Sequence, residues 1–182
     1  MKILTGALRG QAITFKANPH LRPTSDKVRK AIFDMLSGQL EGKNILDLFA
    51  GTGALGLEAL SSGAEKATFV ETNKKQCQRI EENLAALGLG DRGLVLNMPA
   101  ESAIQNFSRE GSFFDIILMD PPYEEAWGIR ALEALSASNI LHEDSLVILE
   151  GYKKEDFPKV LGRLKCIRAK AYGDTKLVIY RI

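Results

Sequence analysis

Short apolar runs alternate with helix-like stretches along the chain from about residue 44 onward. The apolar or β-branched runs occupy residues 44–49, 67–70, 94–97, 114–119 and 146–149. The helical stretches between and after them occupy residues 53–62, 73–87, 101–107 and 124–136. Strands that are apolar throughout are typical of a parallel sheet whose two faces are both covered by helices. The pattern therefore predicts an α/β fold built on a mostly parallel sheet.

The last part of the chain departs from this alternation. Two more β-rich runs, residues 166–171 and 176–180, flank the sequence Tyr172-Gly173-Asp174-Thr175. The Gly-Asp pair in that sequence favours a hairpin turn. We therefore expect a seven-stranded sheet whose last two strands form an antiparallel hairpin.

The first part of the chain also differs. Residues 3–15 mix β-formers with glycines and are expected to form a short hairpin or a loose arm, and the apolar spacing over residues 27–36 predicts a helix. The expected organisation is a basic N-terminal extension over residues 1–43 and a sheet domain over residues 44–182, which together make one structural unit.

Composition narrows the class of protein. The chain has 182 residues, 45% of them hydrophobic, which suits one domain with a sizeable core. No apolar run approaches the ~20 residues that a membrane span requires, and no signal-peptide pattern opens the chain. Cys77 and Cys166 match no metal-ligand spacing and are expected to be reduced thiols. We therefore expect a cytoplasmic protein that uses neither a membrane nor a metal ion.

Charge is unevenly distributed along the chain. The formal net charge is +1, but residues 1–43 carry +5, residues 44–151 carry −10 and residues 152–182 carry +6. Basic ends around an acidic middle indicate a small-molecule site in the centre and contacts with a polyanion at the periphery.

A glycine-rich loop, D-L-F-A-G-T-G-A-L-G from Asp47 to Gly56, follows the first predicted strand. Glycines at such a place let the backbone turn tightly and approach a ligand closely. Glu71 ends the next strand, where its carboxylate can accept two hydrogen bonds from a ribose diol. The loop contains the G-x-G-x-x-G pattern of dinucleotide sites, but Asp47 would repel a pyrophosphate and attract a cationic amino-acid ligand. S-adenosylmethionine carries an ammonium, a sulfonium and a ribose, and so fits both acids.

The strand predicted over residues 114–119 ends in Asp120-Pro121-Pro122-Tyr123. Ligands of open parallel sheets bind at the carboxyl ends of the strands. The two prolines fix the backbone and remove two donors, which leaves neighbouring carbonyls as acceptors. Asp120 adds a carboxylate acceptor, and Tyr123 adds a flat face. Acceptors beside an aromatic ring suit a planar base that bears an exocyclic NH2 group.

Together these motifs resemble those of class I S-adenosylmethionine-dependent methyltransferases that act on exocyclic amines of bases. More narrowly, the chain is similar to the bacterial family that methylates guanine N2 of small-subunit (16S) ribosomal RNA. The likeness covers nearly the whole chain, and its R-P-T and Y-G-x-T stretches narrow the match. The stretches that carry it are Arg22-Pro23-Thr24 with Val28-Arg29, residues 48–60, Asp120-Pro121-Pro122-Tyr123 and Tyr172-Gly173-Asp174-Thr175.

The resemblance implies a Rossmann-like fold and a role for each matching residue. Asp120 and the Pro121 carbonyl would hold the target amine in a turn that Pro122 keeps rigid, and Tyr123 would stack on a flipped-out base. The implied partner is ribosomal RNA, free or in an assembling 30S particle, and the protein is expected to be a monomer. The residues expected to contact S-adenosylmethionine are Thr24, Asp47, Phe49, Ala50, Gly51, Gly53, Glu71, Thr72, Ala100, Glu101 and Asp120. The residues expected to contact RNA are Arg9, Arg22, Lys27 and Arg29.

One segment departs from the family pattern. Such enzymes usually place an Asp after the third strand, where it reaches the adenine amino group, but here the sequence is Asn97-Met98-Pro99-Ala100, with Pro99 at the expected acid. Adenine is then expected to rely on backbone groups near Ala100 or on Glu101.

Two other functions stay open at this point. One is methyl transfer to a different amine, such as DNA adenine, transfer-RNA guanine or a protein glutamine. The short chain, with no large target-recognition domain, argues against DNA as the target. The other is a nicotinamide-dependent dehydrogenase or a non-catalytic nucleotide-binding module, which would give the D-P-P-Y turn no role.

Overall fold

A computed structural model describes residues 1–14, 25–122 and 126–182. The strands are β1 Asn44–Asp47, β2 Lys66–Glu71, β3 Gly93–Asn97, β4 Phe114–Met119, β5 Leu141–Tyr152, β6 Val160–Leu161, β7 Leu164–Tyr172 and β8 Thr175–Arg181. The helices are α1 Asp26–Met35, α2 Ala54–Ser61, α3 Lys74–Ala86, α4 Ala100–Glu110 and α5 Trp127–Ala137, with a 3-10 turn at Gly90–Arg92. Among these described residues, no helix is both long and apolar enough to cross a bilayer.

All the strands of the described residues join one sheet in the order β3-β2-β1-β4-β5-β8-β7-β6. The first five run parallel, and β8, β7 and β6 pair antiparallel. The Rossmann-like α/β fold and the C-terminal hairpin are therefore confirmed. The predicted count of seven strands is one too low, because the two-residue β6 pairs with the start of β7 and is too short to produce a recognisable pattern.

Helices cover the sheet on both faces. On one face, which we call the arm face, α1, α2 and α3 pack over a core that includes Ile45, Phe69, Leu118 and Ile148. On the opposite face, α4 and α5 pack over a second core. This arrangement explains why the inner parallel strands β1, β2 and β4 are apolar at successive positions, since both sides of these strands are buried.

The first fourteen residues pack on the arm face. Ile3 and Ile13 are buried in the core of that face together with residues of α1. An antiparallel bridge joins Lys2 to Ala12, and the Thr14 backbone exchanges two hydrogen bonds of 2.9 Å with the Asn83 side chain on α3. The segment is thus a short hairpin fixed to the sheet domain rather than a loose arm.

A buried ion pair also fixes this segment. Arg29 on α1 and Glu58 on α2 both have side chains with no solvent exposure, and Arg29 Nε lies 3.1 Å from Glu58 Oε1. The same Glu58 carboxylate accepts hydrogen bonds from the backbone N–H groups of Leu4 and Thr5, at 2.6 and 3.1 Å. Arg29 also donates to the Lys2 carbonyl at 2.8 Å. The expectation that Arg29 contacts RNA is therefore wrong, because its guanidinium is enclosed by the fold and serves to hold it together.

Candidate functional site

The candidate site lies at the carboxyl edge of the sheet, where register brings three acids together. Asp47 at the end of β1 pairs with Phe69 on β2 and with Leu118 on β4. Glu71 and Asp120 each come two residues after those partners. Because side chains alternate along a strand, both acids are directed to the same face as Asp47. The sequence prediction that these acids share one site is thus supported by the register.

The glycine loop turns sharply between β1 and α2. Gly51 and Gly53 have φ values of +52° and +77°, a region that residues with a Cβ rarely adopt. The Gly53 N–H donates to the Ala50 carbonyl at 2.6 Å, which closes the turn. A Cβ at Gly56 would lie 2.2 Å from the ring of Phe69, so this glycine lets α2 pack directly on β2. Ala50 is buried and Phe49 is half-buried in this loop.

Asp47 is a fully buried acid beneath the loop. Its Oδ2 accepts a hydrogen bond from the Gly56 N–H at 3.0 Å, whereas its Oδ1 has no hydrogen-bond partner among the described residues. The pKa of Asp47 is raised to about 7. Burial is the largest cause, the charges of Asp120 and Glu71 also raise the pKa, and the hydrogen bond from Gly56 partly offsets them. A cationic donor entering beside the loop would supply the missing partner and favour the ionised form.

Glu71 holds the loop against the end of β2. One of its carboxylate oxygens accepts from the Gly51 N–H at 2.8 Å, and the other accepts from the Asn73 N–H at 2.7 Å. The Asn97 side chain donates to the carbonyls of Glu71 and Thr72, which fixes the backbone there. A carboxylate has about four lone-pair sites, so Glu71 keeps acceptor capacity for a ligand. Thr72 is exposed at the same edge.

The proline turn follows β4 directly. Asp120 is half-buried, Pro121 is buried and Pro122 is exposed. A Cβ at Gly128 on α5 would lie 3.4 Å from the Pro121 ring, an ordinary contact distance, so α5 packs against the turn at this residue. The packing supports the prediction of a rigid turn. Of the residues predicted to contact the cofactor or the target base, Tyr123 and Thr24 lie outside the described residues.

The segment around Pro99 lacks the usual acid, as the sequence indicated. Pro99 precedes α4 in an extended conformation, and no side chain caps that helix. Ala100 is buried in its first turn. The Glu101 carboxylate lies 3.0 Å from the Arg130 guanidinium, which joins α4 to α5, so Glu101 already has an ionic partner. This arrangement favours the backbone near Ala100 over Glu101 as the group that contacts adenine.

Sequence reasoning missed one acid at this edge. Met119 on β4 pairs with Leu149 on β5, so Glu150 comes level with Asp120 one strand away. Its side chain is only 2% exposed, which is unusual for a glutamate. The signal was an acid that directly follows the apolar run over residues 146–149.

The predicted RNA contacts divide into three cases. Arg9 and Lys27 are exposed and so available to a ligand. Arg29 is buried, as described above, and Arg22 lies outside the described residues. Arg9 and Lys27 therefore stay candidates, Arg29 does not, and the expectation for Arg22 stays a prediction.

Comparisons with known proteins point to one family. The family described as "Conserved hypothetical protein 95" matches residues 1–181. The chain is 34% identical over 181 residues to "Putative rRNA methyltransferase YlbH" of Bacillus subtilis, with 100% of this chain and 98% of that protein covered. It is 30% identical over 181 residues to "Ribosomal RNA small subunit methyltransferase D" of Escherichia coli, with 100% and 89% covered.

A solved structure shows the same architecture. "Putative methyltransferase yhhF from Escherichia coli" superposes with a TM-score of 0.87 at 28% identity, over 100% of this chain and 97% of that one. These matches confirm the family resemblance drawn from the R-P-T, glycine-loop and Y-G-x-T stretches. They also confirm the fold class.

Proposed function

This protein belongs to the family described as "Conserved hypothetical protein 95", and we propose that it transfers a methyl group from S-adenosylmethionine to guanine N2 of small-subunit ribosomal RNA. Full-length similarity to "Ribosomal RNA small subunit methyltransferase D" supports ribosomal RNA as the substrate class. The observation that carries the proposal is the juxtaposition, at one sheet edge, of a buried acid under a glycine loop with an Asp-Pro-Pro turn.

The residues of the site fit S-adenosylmethionine. Asp47 Oδ1 is a buried acceptor without a hydrogen-bond donor among the described residues, which suits the cofactor's ammonium. Glu71 suits the ribose hydroxyls. Gly51 and Gly53, whose positive φ values favour glycine, leave the loop without side chains at these two positions next to the ligand. When bound, the cofactor supplies an electrophilic methyl group on a sulfonium. Asp47 also disfavours a dinucleotide, because a pyrophosphate beside a buried acid would be repelled.

The Asp-Pro-Pro turn suits the target amine. The Asp120 carboxylate and the Pro121 carbonyl are acceptors at the end of β4, and an exocyclic NH2 group offers two protons. Accepting both protons would fix the amine and direct its lone pair, so that positioning is the main contribution of the protein. Tyr123 is proposed to stack on the extruded base, since its place in the sequence directly follows the turn.

Two exposed cations of the N-terminal segment are proposed to contact the RNA. Arg9 and Lys27 lie in the +5 segment, and the hairpin that carries Arg9 packs on the end of α2, where the Ala7 and Leu8 N–H groups donate to Ser61. We also propose that the protein acts in the cytoplasm as a monomer, on ribosomal RNA either free or within an assembling 30S particle.

Two assays test the proposal and separate it from the alternatives. Calorimetry with S-adenosylhomocysteine and with NAD should show binding of the first only, and the reverse result would favour a dehydrogenase. Transfer of a labelled methyl group should then be compared on small-subunit ribosomal RNA, transfer RNA, DNA and protein. We expect label in small-subunit RNA alone. Label in any other acceptor instead would overturn ribosomal RNA as the proposed substrate.

A further inference from the structure

Strand β7 carries its cations on one face only. Lys170 pairs with Leu177 on β8, and Arg168 pairs with Ile179. Leu177 and Ile179 are buried in the core of the arm face, and directly opposed residues of neighbouring strands share a face. The exposed side chains of Arg168 and Lys170 therefore stand on the arm face.

Lys165 extends this row. It pairs with Arg181 on β8, which comes two residues after Ile179 and so lies on the same face. Both Lys165 and Arg181 are exposed. We call the four exposed cations Lys165, Arg168, Lys170 and Arg181 the basic row.

The opposite face of β7 carries no charge. Ala169 and Ala171 are exposed there, and Cys166 packs against the core of that face. If the cations served only to keep the strand soluble, exposed positions on either face would serve equally well. Their segregation to one face indicates a partner on that face.

The basic row is also not used to hold the fold together. Other cations of the C-terminal segment have internal partners: Lys153 pairs with Asp174 at 2.6 Å, and the side chains of Arg163 and Lys176 donate to backbone carbonyls. Within residues 1–14, 25–122 and 126–182, no salt bridge involves a member of the basic row.

The row extends to the edge of the sheet that holds the candidate site. Met119 pairs with Leu149, Leu149 with Val178, and Val178 with Ala169. One position nearer the carboxyl edge, Asp120 lies level with Glu150, Glu150 pairs with Leu177, and Leu177 pairs with Lys170, so Lys170 is level with Asp120. Three strand spacings of ~4.8 Å separate them, or about 14 Å along the sheet. A target base held at Asp120 would thus have neighbouring nucleotides within reach of the row.

An aromatic ring stands at the end of the row that faces the site. Tyr172 is half-buried, and Lys170 Nζ lies 5.1 Å from the centre of its ring. A flat ring beside a cation suits a nucleic-acid strand, because bases stack on aromatic rings while phosphates pair with cations. Arg168 and Lys170 are two residues apart, and Lys165 joins them across the bulge between Cys166 and Arg168. A row of cations along an extended strand likewise fits a partner with repeated negative charges.

We propose that the basic row is a second RNA-binding surface, which holds the nucleotides next to the target while Tyr172 stacks on one base. This inference rests on the proposed function for the identity of the polyanion. It also explains why the basic row stands on the face of the sheet on which the N-terminal hairpin packs.

The test compares two triple variants in RNA binding as a function of salt. The row variant carries Lys165→Gln, Arg168→Gln and Lys170→Gln. The control variant neutralises three exposed cations outside the row, Lys66→Gln, Arg109→Gln and Lys154→Gln. The probe is small-subunit ribosomal RNA transcribed in vitro, and calorimetry with S-adenosylhomocysteine confirms that each variant retains an intact cofactor site.

Each lost phosphate contact should reduce the slope of log K against log[salt] by ~0.7–0.9. The row variant should therefore have a slope shallower than the wild type by about two to three units, with a raised KM for RNA and an unchanged kcat. The control variant should keep the wild-type slope. A row variant whose salt slope equals that of the wild type would overturn the proposed surface. A control variant whose slope falls as much as that of the row variant would overturn it too.

The same experiment separates the two proposals. If the wild type methylates the RNA but the row variant behaves like it, only the surface is wrong. If the row variant shows the shallower slope but the wild type transfers no methyl group, the surface stands and the proposed function is wrong. If the wild type does not bind the RNA at all, both are wrong.

Discussion

At the scale of single residues, Asp47 combines features that rarely occur together. It is fully buried, one of its oxygens lacks a hydrogen-bond donor among the described residues, and two other acids raise its pKa further. Burying an ionisable group in this way costs stability unless a charged partner arrives. We interpret Asp47 as an acid held ready for the ammonium of the cofactor.

Cofactor affinity should therefore depend on pH through Asp47. The raised pKa, about 7, means that the acid is mostly protonated at pH 6 and mostly ionised at pH 8. Because only the ionised form attracts an ammonium, S-adenosylhomocysteine affinity should rise about tenfold per pH unit below 7 and level off above it. Calorimetry from pH 5.5 to 8 measures this.

The matched variants for this prediction are Asp47→Asn and Asp91→Asn. Asp47→Asn should bind S-adenosylhomocysteine weakly, with an affinity that hardly depends on pH. Asp91 is exposed, so Asp91→Asn should show the affinity and pH dependence of the wild type. An unchanged pH profile for Asp47→Asn would show that the ammonium lies elsewhere.

Glu71 should contribute to cofactor affinity through hydrogen bonds to the ribose. Removing a charged hydrogen-bond acceptor costs about 1.5–3 kcal/mol, so Glu71→Ala should weaken S-adenosylhomocysteine binding by roughly 10- to 100-fold. Glu81→Ala, an exposed glutamate on α3, is the control. Equal affinities for the wild type and Glu71→Ala would place the ribose away from this acid.

The acids at the strand ends could be predicted from the sequence, because a charged residue that follows an apolar run marks the end of a buried strand, and ligands bind at that edge of a parallel sheet. Asp47, Glu71 and Asp120 were found in this way. Arg29 could not be assigned correctly, since arginines are usually exposed and its partner Glu58 is 29 residues away in the chain. Only the fold brings the two charges together.

At the scale of elements, Glu58 links the N-terminal hairpin, α1 and α2. Breaking a buried ion pair leaves an uncompensated charge and costs about 3–5 kcal/mol. Glu58→Ala should therefore lower the free energy of unfolding by about that amount, because Arg29 would stay buried and two backbone N–H groups would lose their acceptor. Urea unfolding measures the loss.

The control is an exposed ion pair on α1, the helix that also carries Arg29. Lys30 and Asp34 lie 2.7 Å apart but are more than half exposed, so Asp34→Ala should cost less than ~1 kcal/mol. Glu58→Gln keeps an acceptor for the backbone N–H groups, so its loss in the free energy of unfolding should lie between those of Glu58→Ala and Asp34→Ala. Equal losses for Glu58→Ala and Asp34→Ala would mean that the buried pair does not anchor the hairpin.

Most element positions followed from the hydrophobic pattern, and the exceptions have local causes. β5 begins at Leu141 rather than at the predicted residue 146, because His142, Glu143 and Asp144 interrupt the apolar run. β6 has two residues, and a strand that short has no period to detect. The hairpin between β7 and β8 was predictable because the Gly-Asp turn favours it directly, and Gly173 has the positive φ that such a turn requires.

At the scale of the whole molecule, the fold shows where the acidic middle and the basic ends of the chain lie. The acidic middle supplies the carboxyl edge with Asp47, Glu71 and Asp120. The N-terminal hairpin packs on the arm face, and the basic row of β7 and β8 stands on that same face. The sequence showed the separation of charge but not that these parts of its two basic ends share one face, since that depends on the order of strands in the sheet. The resulting layout suits a cationic cofactor in the centre and an RNA around it.

Mass spectrometry of nucleosides tests the central claim most directly. Small-subunit ribosomal RNA would be incubated with S-adenosylmethionine and either the wild type or Asp120→Ala, then digested and analysed. We predict N2-methylguanosine with the wild type. With Asp120→Ala, formation should be slower by about 10²-fold, because the amine is no longer positioned, while S-adenosylhomocysteine still binds. A methyl group on another base, no product at all, or equal rates for both proteins would contradict the account.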